Sequence, residues 1–173
     1  MSIGQGELGV IPLQMANLAA IIANKGHYYV PHFIKTIDKV DTIPSIFTEK
    51  HAVDIDEKHM NVVIDGMYGV VYEPWGTARR ARINDSIIVC GKTGTAQNPH
   101  GEDHSVFMAF APRENPKIAI AVYVENAGAG GSWAAPIASL MIEKYITDSI
   151  SIQNKRKEKR ILEATILESA TNQ

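Results

Sequence analysis

Cysteine is nearly absent from the 173-residue chain: Cys90 stands alone, so no internal disulfide can form. Nor is there a run of about 18 apolar residues, the length a bilayer-spanning helix requires. Neither sign of charge prevails. Seventeen basic residues against 19 acidic leave a net charge of −2, which gives no support for nucleic acid or an anionic membrane surface as the main partner. The opening MSIGQGELG has no basic region followed by an apolar core, so it does not read as a secretory signal. It begins abruptly in a glycine-rich turn, and the expectation is a piece of a longer chain. Internal repeats and low-complexity tracts are missing as well. What is present is 45% hydrophobic residues, enough for one domain with a sizeable core.

The apolar residues are arranged in two textures. Pro12 suits the first turn of a helix, where its missing N–H is not needed, and PLQMANLAAIIANKG reads as a helix ending near Gly26, a left-handed cap. HYYVPHFIKTIDKV reads as extended, leading into a polar connection to about Asp54. In DEKHMNVVIDGMYGVVY, Met60, Val63, Met67 and Val70/Val71 recur at helical spacing, predicting a second helix. EPWGTARRAR, with Pro74 and Gly76, reads as a loop. From there strands take over. Ile87–Cys90 lead into GKTGTAQ, and 105–111 and 117–125 read as a hairpin around the turn PRENPK. NAGAGGS then connects to a helix over WAAPIASLMIEKYITD. The chain divides into residues 1–148 and a charged tail, 149–173, in which KRKEKR suits a solvated helix or a disordered segment.

The stretch VCGKTGTAQNPHG, residues 89–101, carries the chemistry. A phosphate-binding P-loop needs a glycine five places before Gly91, and that position is Ser86. The residues after Lys92 include Gly94 and Pro99 and do not open a helix. The other use of Lys-Thr-Gly is on a strand. There the glycine lets a ligand lie close to the backbone, the lysine adds positive charge, and the threonine hydroxyls can bind a carboxylate.

KTGTAQ on a strand, with a hairpin and a C-terminal helix after it, resembles class B penicillin-binding proteins, the high-molecular-weight D,D-transpeptidases. SIGQGELGVIPLQMANLAAIIANKG, Gly76-Thr77-Ala78 and GGSWAAPIASLMIEKYI resemble the same family, so the likeness runs in order over about residues 2–148. The resemblance implies an α+β fold: part of the penicillin-binding transpeptidase (serine β-lactamase-like) architecture, an antiparallel sheet flanked by helices. It implies no cofactor and no metal. The implied ligands are peptidoglycan stem peptides and β-lactams, and the implied partners are other cell-wall elongation proteins. The intact parent would be anchored in the bacterial cytoplasmic membrane, with this domain in the periplasm or outside the cell.

Residue by residue, the resemblance assigns Lys92 positive potential in the site and support of proton transfer. It gives the hydroxyls of Thr93 and Thr95 the ligand carboxylate, and the backbone N–H of Thr95 half of an oxyanion hole. Gly94 would keep the strand edge open. The family's nucleophile is a serine with a lysine three residues later, where a helix brings the two together. None of the chain's serines has that lysine, and none has the asparagine two places on that marks the family's Ser-x-Asn element. The chain alone is therefore expected to be inactive. A serine β-lactamase relative remains an alternative, as does a non-catalytic structural or interaction piece.

Other chemistry-bearing residues receive plainer readings. His100 and His104 flank Glu102 and Asp103, but Pro99 and Gly101 argue against the helix a metal site at that spacing needs, so they read as loop histidines. Tyr28, Tyr29 and Trp75 read as packing residues, Cys90 as a buried thiol, and Gly128, Gly130 and Gly131 as a turn before a helix. The strands at 105–111 and 117–125 are apolar on both sides and expect cover on both faces. With the first strands and serine helices of the family missing, self-association is expected, or the tail and first helix hiding the open face.

Overall fold

The computed structural model describes residues 5–34 and 43–165. Helix α1 spans Pro12–Ala23. Its start is fixed by Pro12 and by the Gln14 side chain, whose carbonyl oxygen accepts the Ile11 N–H at 3.0 Å. Its end is a Schellman turn: Gly26 N–H reaches Ile21 O and Lys25 N–H reaches Ile22 O. The left-handed residue of that turn is Lys25, at φ 55°, with Gly26 next at φ 104°. Among the described residues of the predicted extended stretch after it, only β1, His27–Tyr28, is a strand, paired antiparallel with β2, His51–Ala52. Residues 35–40 of that stretch lie outside the described residues.

Helix α2, Glu57–Tyr72, buries Met60, Ile64, Met67 and Val71, a stripe of roughly four-residue steps. Val63, assigned to that face from the sequence, is exposed, and Ile64 takes its place. The alternative stripe through Val63 would have needed a face one residue round the helix. Two aromatics differ from expectation too: Trp75, in the loop after α2, and Tyr29, just after β1, are exposed rather than packed, while Tyr28 stacks on His51.

Three strands come next: β3, Cys90–Ala96; β4, His104–Ala111; and β5, Ile118–Val124. They form one antiparallel sheet in the order β3-β4-β5, with Thr93 opposite Phe107 and Phe107 opposite Val122. The Lys-Thr-Gly triplet thus lies inside a strand, and the apolar residues 87–89 precede that strand instead of forming it. Gly91 is what this register demands. A Cβ there would overlap the Phe107 ring, so the residue before Lys92 admits a core aromatic. It is not a phosphate cradle.

The sheet is covered on both faces. Helix α3, Ala134–Thr147, lays Ala134, Ala135, Ala138 and Ile142 against Phe107, Ala109 and Ile120. On the other face Ile22 of α1 and Met60, Ile64 and Met67 of α2 meet Cys90 and Phe110. The open face expected from the sequence is therefore hidden by the first two helices. The tail sits elsewhere, against α3. Helix α4, Lys155–Leu162, is preceded by Asn154, whose side-chain amide donates to buried Glu143 at 3.0 Å. Lys157 Nζ donates to Ser139 Oγ and to Arg82 O, each at 2.9 Å.

Candidate active site

Alternation along β3 sends Thr93 and Thr95 to the face that carries Phe107 and Val122, and Lys92 to the opposite one, with Met108. The two threonines line a cavity of about 700 Å³ together with Thr77, Arg79, Arg80, Arg82 and the loop Ala129–Ser132. Thr77 and Thr93 share a hydroxyl–hydroxyl hydrogen bond of 2.8 Å. Lys92 is exposed and donates from Nζ to Thr93 O at 2.7 Å, so the ammonium rests against its own strand rather than in the cavity. Gly94 faces Val106 on the Lys92 side. Among the described residues β3 has one strand neighbour, so alternate backbone amides point away from the sheet.

The wall opposite β3 is the glycine-rich loop, and a buried serine holds it. Ser105 Oγ accepts the Ala134 N–H at 3.0 Å and donates to Ala129 O at 3.0 Å, tying both ends of the loop to β4. Gly130 then passes so close to the backbone of Gly94 and Val106 that any Cβ there would overlap their carbonyl oxygens. The sequence marked these glycines as a turn. Their closeness to β3 became visible only once strand and loop were folded together.

The third component is the turn after α2. Arg82 is committed to structure: Nε donates to Val71 O at 2.9 Å and a terminal nitrogen to Tyr72 O at 2.6 Å, satisfying carbonyls at the negative end of α2. Arg79 and Arg80 are exposed, and among the described residues neither has an acidic partner within ion-pair distance. Among the described residues no carboxylate lines the cavity. Hydroxyls, guanidinium groups and loop backbone can together present hydrogen-bond donors to an anion.

The remaining candidates have structural roles. His104 Nδ1 accepts the Asn126 N–H at 3.0 Å, and Asp103 Oδ1 accepts the Asn98 N–H at 3.2 Å, so both shape the β3–β4 connection. Burial pushes the Cys90 thiol up to about 12, leaving it protonated and unsuited to act as a nucleophile. Among the described residues no helix is long and apolar enough to cross a membrane.

Comparison with known proteins decides the family. Residues 1–143 match the penicillin binding protein transpeptidase domain. The chain belongs to that family. It is 35% identical to the peptidoglycan D,D-transpeptidase MrdA of Haemophilus influenzae, in an alignment that covers 87% of this chain and 26% of the relative. Among solved structures it is similar to PBP2 of Pseudomonas aeruginosa, with a TM-score of 0.73 and 35% identity over 87% of this chain and 33% of that one. It is also similar to penicillin-binding protein A of M. tuberculosis, solved as an imipenem acyl-enzyme, with a TM-score of 0.67 and 30% identity over 84% of this chain and 33% of that one. A complex of PBP2 with MreC from Helicobacter pylori matches at a TM-score of 0.67 and 28% identity, over 84% of this chain and 26% of that one. The chain therefore spans about a quarter of the length of the curated relative and a third or less of these solved ones. The mixed helix and antiparallel-sheet architecture expected from the sequence is the one these structures share.

Proposed function

We propose that this chain supplies the Lys-Thr-Gly wall of a peptidoglycan D,D-transpeptidase site, and that Thr93 and Thr95 bind the C-terminal carboxylate of a stem peptide or the carboxylate of a β-lactam. The observation that carries the reading is the pair of threonine hydroxyls on one face of β3, lining a cavity that holds arginines and, among the described residues, no carboxylate. Two hydroxyls two residues apart on the same side of a strand can donate to the two oxygens of one carboxylate, and the arginines raise the local positive potential.

In the longer protein a serine attacks the carbonyl of the penultimate D-alanine. The terminal D-alanine leaves with the proton, and an amine of a neighbouring strand takes the acyl group from the serine. The Thr95 amide would donate to the oxyanion of each tetrahedral state, where one lost donor typically costs about 10²–10³ in rate. Lys92 would turn from Thr93 O toward the nucleophile's proton. Such a parent would be membrane-anchored, with this domain outside the cytoplasm, and would work with other elongation proteins. The MreC complex of the Helicobacter pylori relative supports that last point.

The chain itself carries no Ser-x-x-Lys, so it is inactive alone on this reading. Two measurements test it. Titration of the ¹⁵N-labelled chain with acetyl-D-alanyl-D-alanine should move the Thr93 and Thr95 amides, and Thr93→Val with Thr95→Val should abolish the response. Amides that stay in place in the unmutated chain would overturn the carboxylate role. Intact mass after incubation with penicillin should be unchanged, whereas a stoichiometric adduct released by hydroxylamine would refute the predicted inactivity.

A further inference from the structure

We propose that the tail helix α4 is a strap across the two loop walls of the threonine cavity, with Lys157 and Arg160 as positioning residues that hold those walls at the spacing a ligand meets. The family match covers residues 1–143, so the tail lies beyond it. The effect on ligand binding rests on the reading that Thr93 and Thr95 hold a carboxylate, whereas the strap itself does not.

One wall of the cavity is β3, paired with β4 along its whole length. The other two are loops, one within residues 76–82 and one at Ala129–Ser132. Each is pinned on its inner side. Fully buried Ala78 and Ala81 bracket the 3₁₀ turn Arg79–Ala81, whose three-residue period puts both on one side, and Ser105 ties the glycine-rich loop to β4. What these contacts leave to be held is the outer side. There the first wall leaves the turn through Arg82 and Ile83, and the second ends at Trp133, the residue before α3.

The tail grips both places. Lys157 Nζ donates to Arg82 O at 2.9 Å, and the side-chain amides of Gln153 and Asn154 donate to Ile83 O at 3.1 and 3.4 Å. Among the described residues, every donor those two carbonyls receive comes from the tail. One turn further along α4, the Arg160 guanidinium lies over the Trp133 ring, 4.5 Å from its centroid. Positions 157 and 160 are three residues apart and so are neighbours on one side of the helix, which lets one short element reach both walls. The strap also has a fixed post. Glu143, buried in α3, accepts the Asn154 amide at 3.0 Å and the Ser151 N–H at 3.3 Å, just ahead of α4. A helix of eight residues does not persist in water by itself, so α4 forms because these contacts hold it, and the holding is mutual.

The test is native-state amide hydrogen exchange of the ¹⁵N-labelled 173-residue chain, read at the hydrogen-bonded amides of Ala78 and Ala81 in one wall and of Ser132 and Ala135 at the other. The amides of Phe107 and Ala109, in the middle strand of the sheet, report global unfolding. Lys157→Met with Arg160→Gln should speed the four wall amides by about three- to tenfold relative to those two. The single variant Arg160→Gln, which changes only an exposed side chain, should do the same at Ser132 and Ala135. Wall amides that keep pace with Phe107 and Ala109 in both variants would mean that the tail adds only general stability, and would overturn the strap. The double variant should also bind acetyl-D-alanyl-D-alanine about threefold more weakly, read at the Thr93 and Thr95 amides. Faster wall exchange with an unaltered affinity would overturn the positioning role. If the peptide moves neither threonine amide even in the unmutated chain, the carboxylate reading falls, and the exchange rates alone decide the strap.

Discussion

The hydroxyls of Thr77 and Thr93 lie 2.8 Å apart, joining the turn after α2 to the middle of β3. Each hydroxyl has a single proton to give. If Thr93 is to donate to a ligand carboxylate, it must accept from Thr77, so Thr77 sets the direction of the bond without touching the ligand. Thr77→Val removes that donor and leaves Thr93 to divide its proton between conformations. We expect acetyl-D-alanyl-D-alanine to bind about fivefold more weakly to Thr77→Val, the equivalent of one neutral hydrogen bond of about 1 kcal/mol. Thr77→Ser should restore the affinity. An unchanged affinity in Thr77→Val, measured by the same amide shifts, would remove Thr77 from the site.

Gly91 offers a test of the fold that is independent of the ligand. A methyl group there would meet the ring of fully buried Phe107, so Gly91→Ala is an overpacking change. Such changes typically cost about 1–3 kcal/mol. The urea midpoint should fall accordingly, and adding Phe107→Leu should recover part of the loss by making room. An unshifted midpoint in Gly91→Ala would mean that Phe107 does not pack over the strand.

Much of this fold was legible in the sequence because local signals and burial agree there. Pro12 and Gln14 start α1 where the pattern says a helix begins, and the alternation in β4 and β5 survives intact as two covered faces. The site was legible only in part. Lys92, Thr93 and Thr95 were found as a motif, yet strand alternation separates Lys92 from the two threonines, and a motif read as a word hides that separation. Thr77, Arg79, Arg80 and the Gly130 loop come to the site from well before and well after β3. Their meeting depends on Ser105 holding the loop and on two buried alanines pinning the turn. Neither contact has a local sequence signature. The anchoring of the tail is similar: KRKEKR looks solvated, but Asn154 and Lys157 find Glu143, Ser139 and Arg82 O only through the tertiary fold.

Lys157 makes that anchor sensitive to pH. Burial lowers its ammonium to about 8, against an ordinary value near 10.4, while Glu143 pulls the other way. A lysine depressed on folding binds more protons in the unfolded chain between those two values. Its contribution to stability therefore rises with pH across roughly 8 to 10.4. Below that window the folded chain bears the full cost of burying the charge. Relative to Lys157→Met, the unmutated chain should gain stability as pH is raised through the window, read as the difference in urea midpoints at each pH. A difference that stays flat, or falls, would contradict the depressed value.

Strand β5 ends the sheet, and among the described residues no further strand pairs with its outer edge. Beside it α1 covers one face of β4 and β5, but α1 and the segment before it present Leu8, Val10, Ile11, Leu13 and Leu18 to solvent. An unpaired strand edge next to clustered apolar side chains favours pairing with another copy. We expect the isolated chain to scatter light, during size exclusion at micromolar concentration, with a mass above the 18.9 kDa of one copy. Leu18→Lys should shift it toward the monomer, because the charge would be desolvated in any contact that buries α1. The substitution should leave the fold intact, since Leu18 is 46% exposed. A monomer that binds no hydrophobic dye would show that α1 alone satisfies this side of the sheet, and that the β5 edge is protected by its own twist.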